Sequence, residues 1–148
     1  MVQDRIEREV VVAAAPERVW EIITQAEHVG KWFGDSAEID LRPGGTMVLR
    51  WDKHGTQYAT IEKIDAPRHF SYRWKPGFND EKPGTDDSTL VEFTLTPHEG
   101  QTLVRVVETG FSRLPLNESK RAEQFENNSE GWGIQLRDLR EYVEGLAA

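Results

Sequence analysis

The sequence predicts an α+β fold in which a curved, seven-stranded antiparallel sheet wraps round one long C-terminal helix. Residues 131–148 indicate the helix, because their apolar side chains recur at steps of three and four, as in a helix that buries one face. That stripe consists of Trp132, Leu136, Leu139, Val143 and Leu146. Almost every segment upstream alternates apolar and polar residues, which is typical of strands with one buried face.

The beginning of the chain predicts one strand followed by two short helices. Residues 5–13 alternate. Pro16 and Glu17 then suit the first turn of a helix, because proline fits there and glutamate favours the positive end of the helix dipole. Residues 26–32 predict a second short helix. The apolar face of the first strand carries Ile6, Arg8, Val10 and Val12, among which the arginine is unusual.

Six further strands are predicted in meander order. They span residues 37–41, 47–52, 57–65, 69–75, 90–96 and 102–109. Residues 76–87 are rich in loop-forming residue types and predict a long exposed loop, whereas residues 118–127 predict a polar helix continuous with, or docked to, the final one. Sequential antiparallel strands joined by short turns form a curved sheet. The gap between its concave side and the helix predicts a pocket.

Length and composition restrict the classes of protein. The 148 residues predict a single domain over residues 1–148, and the absence of cysteine excludes disulfides, thiol nucleophiles and cysteine-based metal sites. A formal net charge of −8 disfavours nucleic acid as a partner. No apolar run approaches the roughly 20 residues of a membrane helix. The charged N-terminus has no signal-peptide core, so a cytoplasmic location without membrane insertion is expected.

Catalytic and cofactor-binding motifs are not found. The four histidines are well separated and none has metal-ligand spacing; they are His28, His54, His69 and His98. Neither a P-loop nor a dinucleotide-binding glycine pattern occurs, and no serine–histidine–aspartate arrangement is suggested. We therefore expect no metal, no cofactor and no catalytic residue, and an enzymatic role is disfavoured but left open.

Aromatic residues dominate the candidates for the lining of the pocket. The candidates are Trp32, Phe33, Trp51, Tyr72, Trp74, Phe93, Glu108, Trp132 and Leu136. One interpretation is a binding cavity, because rings offer large contact area and stacking for flat ligands. The other interpretation is ordinary core packing, which is the commoner fate of a buried ring. Gly131 and Gly133, inside the helix, predict a close approach of helix to sheet beside Trp132.

The ordered set of motifs resembles the START-like, or SRPBCC, superfamily with its helix-grip fold. Within it the sequence is similar to the homologues of the heat-shock-protein-90 ATPase activator. The residues that carry the resemblance are Ala15 to Trp20, Lys31 to Phe33, Pro43 to Gly45, Asp65 to Arg68, Tyr72 to Trp74, Thr109 to Phe111, Gly131, Trp132, Leu136 and Leu139. The resemblance implies a seven-stranded antiparallel sheet that grips the C-terminal helix over a cavity. Superfamily members bind lipids, sterols, polyketides and other apolar molecules.

In this fold the first and last strands pair antiparallel, which bears on two inward-facing charges. Glu108 shares a face with Val104 and Val106, and Arg8 lies on the apolar face of the first strand. A buried charge without a partner is costly, so we expect Arg8 and Glu108 to form an ion pair. The pair would be either a polar anchor for a ligand or a sealed structural contact.

Three functions follow from these features. The first is a monomeric or homodimeric domain whose largely hydrophobic cavity binds a lipid-like, polyketide-like or aromatic small molecule. The second is a chaperone co-factor, as the family name implies. The eukaryotic activators carry a further N-terminal domain, for which 148 residues are expected to leave no room. The third is an aromatase or cyclase, which would need several ionisable groups converging inside the cavity.

Overall fold

A computed structural model describes residues 4–75, 83 and 87–147 of the chain. Ten of the twelve residues of the predicted loop 76–87 lie outside the described residues, as does Ala148, the predicted end of the last helix. The described elements follow the predicted order. They are β1 (Arg5–Val12), α1 (Pro16–Thr24), α2 (Ala26–Trp32), β2 (Ser36–Ile39), β3 (Thr46–Trp51), β4 (Gly55–Asp65), β5 (His69–Trp74), β6 (Thr89–His98), β7 (Gln101–Thr109), a 3-10 turn (Phe111–Arg113) and α3 (Glu118–Ala147).

The seven strands form one antiparallel sheet in the order β1-β7-β6-β5-β4-β3-β2. Every neighbouring pair except β1 and β7 is also consecutive in the chain, as a meander requires. The predicted pairing of the first and last strands is confirmed, with Ile6 opposite Glu108 and Arg8 opposite Val106. The α+β helix-grip fold, with two short helices after the first strand, is therefore confirmed.

The C-terminal helix is one continuous element of 30 residues, so the predicted polar and apolar helices are a single helix, α3. Its stripe packs on the core through Trp132, Leu136, Leu139 and Val143, all at most 3% exposed. Leu146 was expected in the same stripe, but it is 43% exposed near the end of the helix. The buried stripe therefore ends one turn early.

The prediction that two helix glycines mark a close approach to the sheet is wrong. A Cβ atom built on Gly131 or Gly133 meets no atom within 4 Å. Gly133 is exposed, whereas Gly131 is half-buried and borders the space between α3 and the sheet. Gly131 thus marks open space beside Trp132 rather than contact.

The core lies between the concave side of the sheet and the helices. α1 contributes Val19, Ile22 and Ile23, which are at most 3% exposed. Proline occupies the first turn of α1, as predicted. Within the described residues, none of the helices is both long enough and apolar enough to cross a membrane.

Candidate functional site

A pocket of about 300 Å³ lies between the N-terminal half of α3 and the ends of β3, β4 and β5. The residues that line it fall into two chemical classes, rings and side-chain amides, with one glycine between them. They are Phe33, Trp51, Gln57, Trp74, Gln124, Asn127, Asn128, Gly131, Trp132 and Gln135. Of the described residues that line this pocket, none is ionisable.

The rings of the pocket wall form one connected cluster around Phe33. Its centroid lies 5.5 Å from those of Trp51 and Trp132 and 5.8 Å from that of Trp74. The indoles of Trp74 and Trp132 stack, with centroids 5.6 Å apart and planes inclined by 27°. This cluster joins the end of α2, two strands and α3 into one aromatic surface.

The amides of the pocket wall come mainly from α3. Gln124, Asn128, Gly131 and Gln135 recur at steps of four, three and four, so they lie along one face of the helix. Across the pocket, Gln57 donates from Nε2 to the backbone carbonyl of Lys75 at 3.1 Å. The helix thus presents uncharged hydrogen-bonding groups opposite the rings.

Directly behind this wall lies Glu108, whose side chain is fully buried. Trp74 Nε1 and Thr89 Oγ1 donate to its Oε2 at 2.7 and 2.5 Å. Trp132 Nε1 donates to Oε1 at 2.8 Å, and Asn128 Nδ2 reaches both oxygens at 3.0 and 3.1 Å. No cationic side chain among the described residues pairs with this carboxylate, so hydrogen bonds alone compensate its burial.

Burial raises the pKa of the Glu108 carboxyl above its ordinary value of 4.5, although the four hydrogen-bond donors act in the opposite direction. Burial, with the nearby Glu108 carboxylate, also raises the pKa of the Tyr72 hydroxyl well above 10.0. The Tyr72 hydroxyl is buried without a hydrogen-bond partner among the described residues, as is Oε1 of Gln135. Tyr72 therefore stays a neutral phenol at ordinary pH.

Four of the nine predicted lining residues are in the wall of the pocket: Phe33, Trp51, Trp74 and Trp132. Glu108 lies one layer behind them. The other four are buried in the core and do not border the pocket: Trp32, Tyr72, Phe93 and Leu136. Four of the nine candidates thus border the pocket, four are packed in the core, and Glu108 lies behind the wall.

The predicted ion pair between Arg8 and Glu108 is wrong. Arg8 is exposed and donates to the Ser129 hydroxyl on α3 and to the Glu7 carbonyl, the latter at 3.0 Å. Strand parity does place Arg8 on the inward face, but β1 is an edge strand. The long arginine side chain can therefore carry its charge past the edge of the sheet into solvent. Indole, hydroxyl and amide donors take its place at Glu108.

The amides of the wall were not among the predicted lining residues: Gln57, Gln124, Asn127, Asn128 and Gln135. On α3 the sequence offers only an ambiguous signal: uncharged amides recur at helical spacing on the N-terminal continuation of the Trp132 stripe, and a solvated helix face shows the same pattern. A buried helix face that turns from apolar to amide residues indicates a polar space rather than dry packing. For Gln57 no comparable signal exists, because a glutamine at an inward strand position has no period of its own.

The fold and this pocket place the chain in the START-like, or SRPBCC, class of helix-grip proteins. The chain belongs to the family described as Activator of Hsp90 ATPase homolog 1-like protein, whose model matches residues 13–144. A comparison with curated proteins found no match.

Solved structures of the same fold cover nearly all of the chain at low sequence identity. The protein MLL2253 from Mesorhizobium loti is 19% identical, with a TM-score of 0.78 over 95% of this chain and 96% of that one. The Aha1 dimer from Colwellia psychrerythraea is 18% identical, with a TM-score of 0.75 over 96% of this chain and 97% of that one. DynU16, a protein of the dynemicin biosynthetic locus, is 21% identical, with a TM-score of 0.76 over 96% of this chain. The match covers 48% of DynU16. At these identities the likeness concerns the fold alone.

Proposed function

We propose that this protein binds a flat, uncharged small molecule in the pocket between α3 and the sheet. The observation that supports the proposal is the composition of the wall, in which four rings face a row of side-chain amides and no described lining residue is ionisable. A volume of about 300 Å³ lies at the lower end of the range for small-molecule sites. A ligand of two or three fused rings suits this size.

The wall favours an aromatic or polyketide-like ligand over a fatty acid. Stacked indoles and Phe33 offer ring faces, which complement planar molecules better than flexible chains. Amides can both donate and accept, so they suit hydroxyl and carbonyl substituents at the edge of such a ring system. A fatty-acid carboxylate would find no cation among the described lining residues.

Native mass spectrometry of the purified protein is the first test. A binder of this kind should carry a co-purified mass that is released by denaturation. A thermal-shift screen should then rank planar phenols and fused-ring ketones above fatty acids and alkyl alcohols. If the purified protein is empty and no compound of the screen raises the melting temperature, the proposal fails. If fatty acids stabilise the protein most, the ligand class is wrong.

A chaperone partnership is the second candidate, and membership of the Activator of Hsp90 ATPase homolog 1-like family favours it. This function predicts capture of the protein by the chaperone in a pull-down and a rise in chaperone ATPase activity. An aromatase or cyclase activity receives less support, because none of the described residues that line the pocket is ionisable. Ligand binding is therefore the function to test first.

A further inference from the structure

One carboxylate makes hydrogen bonds to three residues of the pocket wall. Glu108 of β7 accepts from Trp74 at the end of β5 and from Asn128 and Trp132 of α3, and all three donors line the pocket. The fourth donor, Thr89 of β6, is fully buried and does not border the pocket. Glu108 therefore links the strand side of the wall to its helix side.

The chemistry of these donors requires a group that only accepts hydrogen bonds, which a carboxylate does and a neutral amide does not. An indole N–H can only donate, and so can the amide nitrogen of Asn128. A buried donor that loses its acceptor costs free energy, so each indole is held in the orientation that keeps its N–H on Glu108. Trp74 and Trp132 stack on each other, and the indole N–H groups of both donate to the Glu108 carboxylate.

We propose that Glu108 is a positioning residue, whose carboxylate fixes the two stacked indoles and Asn128 so that the pocket keeps one shape before a ligand enters. The inference rests on the proposed function, which supplies the ligand. Glu108 does not touch the ligand, because its oxygens are already occupied by protein donors and its side chain has no exposed surface. It acts by preorganising the groups that do touch the ligand.

The substitution Glu108→Gln separates this role from simple packing. Glutamine has nearly the same shape, but one of its two terminal atoms is an NH₂ group that donates. If that group replaces Oε2, Trp74 loses its acceptor; if it replaces Oε1, Trp132 does. Thr89 can turn its hydroxyl round to accept, but an indole cannot. One indole must therefore be released in either orientation.

Thr89→Val is the matched control. It removes one hydrogen bond from the same carboxylate and keeps the volume of a fully buried side chain. It leaves the bonds from both indoles and from Asn128 in place. A merely structural role for the network predicts that the two substitutions affect the pocket alike, whereas the positioning role predicts that only the first one does.

The first readout needs no ligand and uses the indole N–H signals of ¹⁵N-labelled protein. In Glu108→Gln, the Trp74 or Trp132 signal should move upfield and its exchange with solvent should become faster. In Thr89→Val both signals should stay close to their wild-type positions. Unchanged Trp74 and Trp132 signals in a folded Glu108→Gln protein would overturn the proposal. If that variant does not fold, Glu108→Asp serves instead, because its shorter arm draws the carboxylate away from at least one indole.

The second readout is the dissociation constant of 2-naphthol, a neutral fused-ring phenol, measured by fluorescence titration. Glu108→Gln should weaken binding roughly tenfold, and Thr89→Val by less than about twofold. Equal losses in both variants would contradict the positioning role. If the wild-type protein binds neither 2-naphthol nor any other compound of the thermal-shift screen, the proposed function fails. The indole signals still decide whether Glu108 orients the tryptophans.

Discussion

At the scale of single residues, the residues that border the pocket differ from the residue that positions its wall. Gly131 borders the pocket without filling it, and Glu108 shapes the wall without bordering the pocket. Neither role follows from residue type, since a helix glycine and an inward glutamate usually suggest close packing and ion pairing. Both roles depend on where neighbouring side chains end, so each can be tested by one substitution with a matched control.

Filling the space beside Gly131 should weaken ligand binding without harming the fold. In Gly131→Leu the new side chain extends into open space on the pocket side of α3, whereas in Gly133→Leu it projects from an exposed position two residues away. Both changes remove a helix glycine, so both should raise the stability of α3 by up to roughly 1 kcal/mol. We expect at least a tenfold loss of 2-naphthol affinity in the first variant only. Equal affinities in the two variants would place the ligand elsewhere.

The protonation of Glu108 should make its contribution to stability depend on pH. Because burial raises its pKa in the folded state above 4.5, the folded protein holds this proton more tightly than the unfolded chain does. The contribution is therefore fully present below the unfolded pKa and is lost as the pH rises through the folded pKa. Urea unfolding from about pH 4.5 to 8 should show the wild type gaining stability relative to Glu108→Gln as the pH falls. A difference that is constant, or that grows with pH, would contradict this assignment.

At the scale of elements, α3 performs two tasks along its length. Its second half buries Leu136, Leu139 and Val143 in the core, while its first half presents amides to the pocket. Trp132 lies at the junction and belongs to both. The helix and its apolar stripe could be predicted, because periodicity reports burial directly. The same rule could not predict that the amides in the first half of α3 line a pocket, because a solvated helix face also shows polar residues at helical spacing.

Removing a glycine from the exposed side of α3 should stabilise the protein. Gly133 has helical neighbours, is exposed and leaves open space for a Cβ atom. Gly133→Ala should therefore raise the free energy of unfolding by roughly 0.5–1 kcal/mol, because alanine loses less backbone entropy on folding. Thermal and urea unfolding would measure the gain. A loss of stability would mean that this glycine serves a contact that the geometry of α3 does not show.

At the scale of the whole molecule, the sheet order and helix placement were predictable and the details of the interior were not. Strand alternation and the ordered motifs predicted seven strands and their meander, and the antiparallel pairing of β1 with β7 followed from the resemblance. The aromatic half of the wall was predicted because Trp51 and Trp74 lie on inward strand faces. The hydrogen-bond partners of Glu108 were not predicted, because strand parity gives the direction of the Arg8 side chain but not how far it reaches.

The pairing of β1 with β7 has a consequence for how the chain folds. The other strand pairs join neighbours in sequence, whereas this pair joins residues that are between 90 positions (Val12 and Thr102) and 104 positions (Arg5 and Thr109) apart in the chain. Closing so long a loop costs entropy that local hairpins do not, so we expect β1 to dock after the rate-limiting step. Val12→Ala, at a fully buried position, should cost roughly 1–3 kcal/mol. Stopped-flow measurements should show that cost mainly as faster unfolding, with the folding rate nearly unchanged.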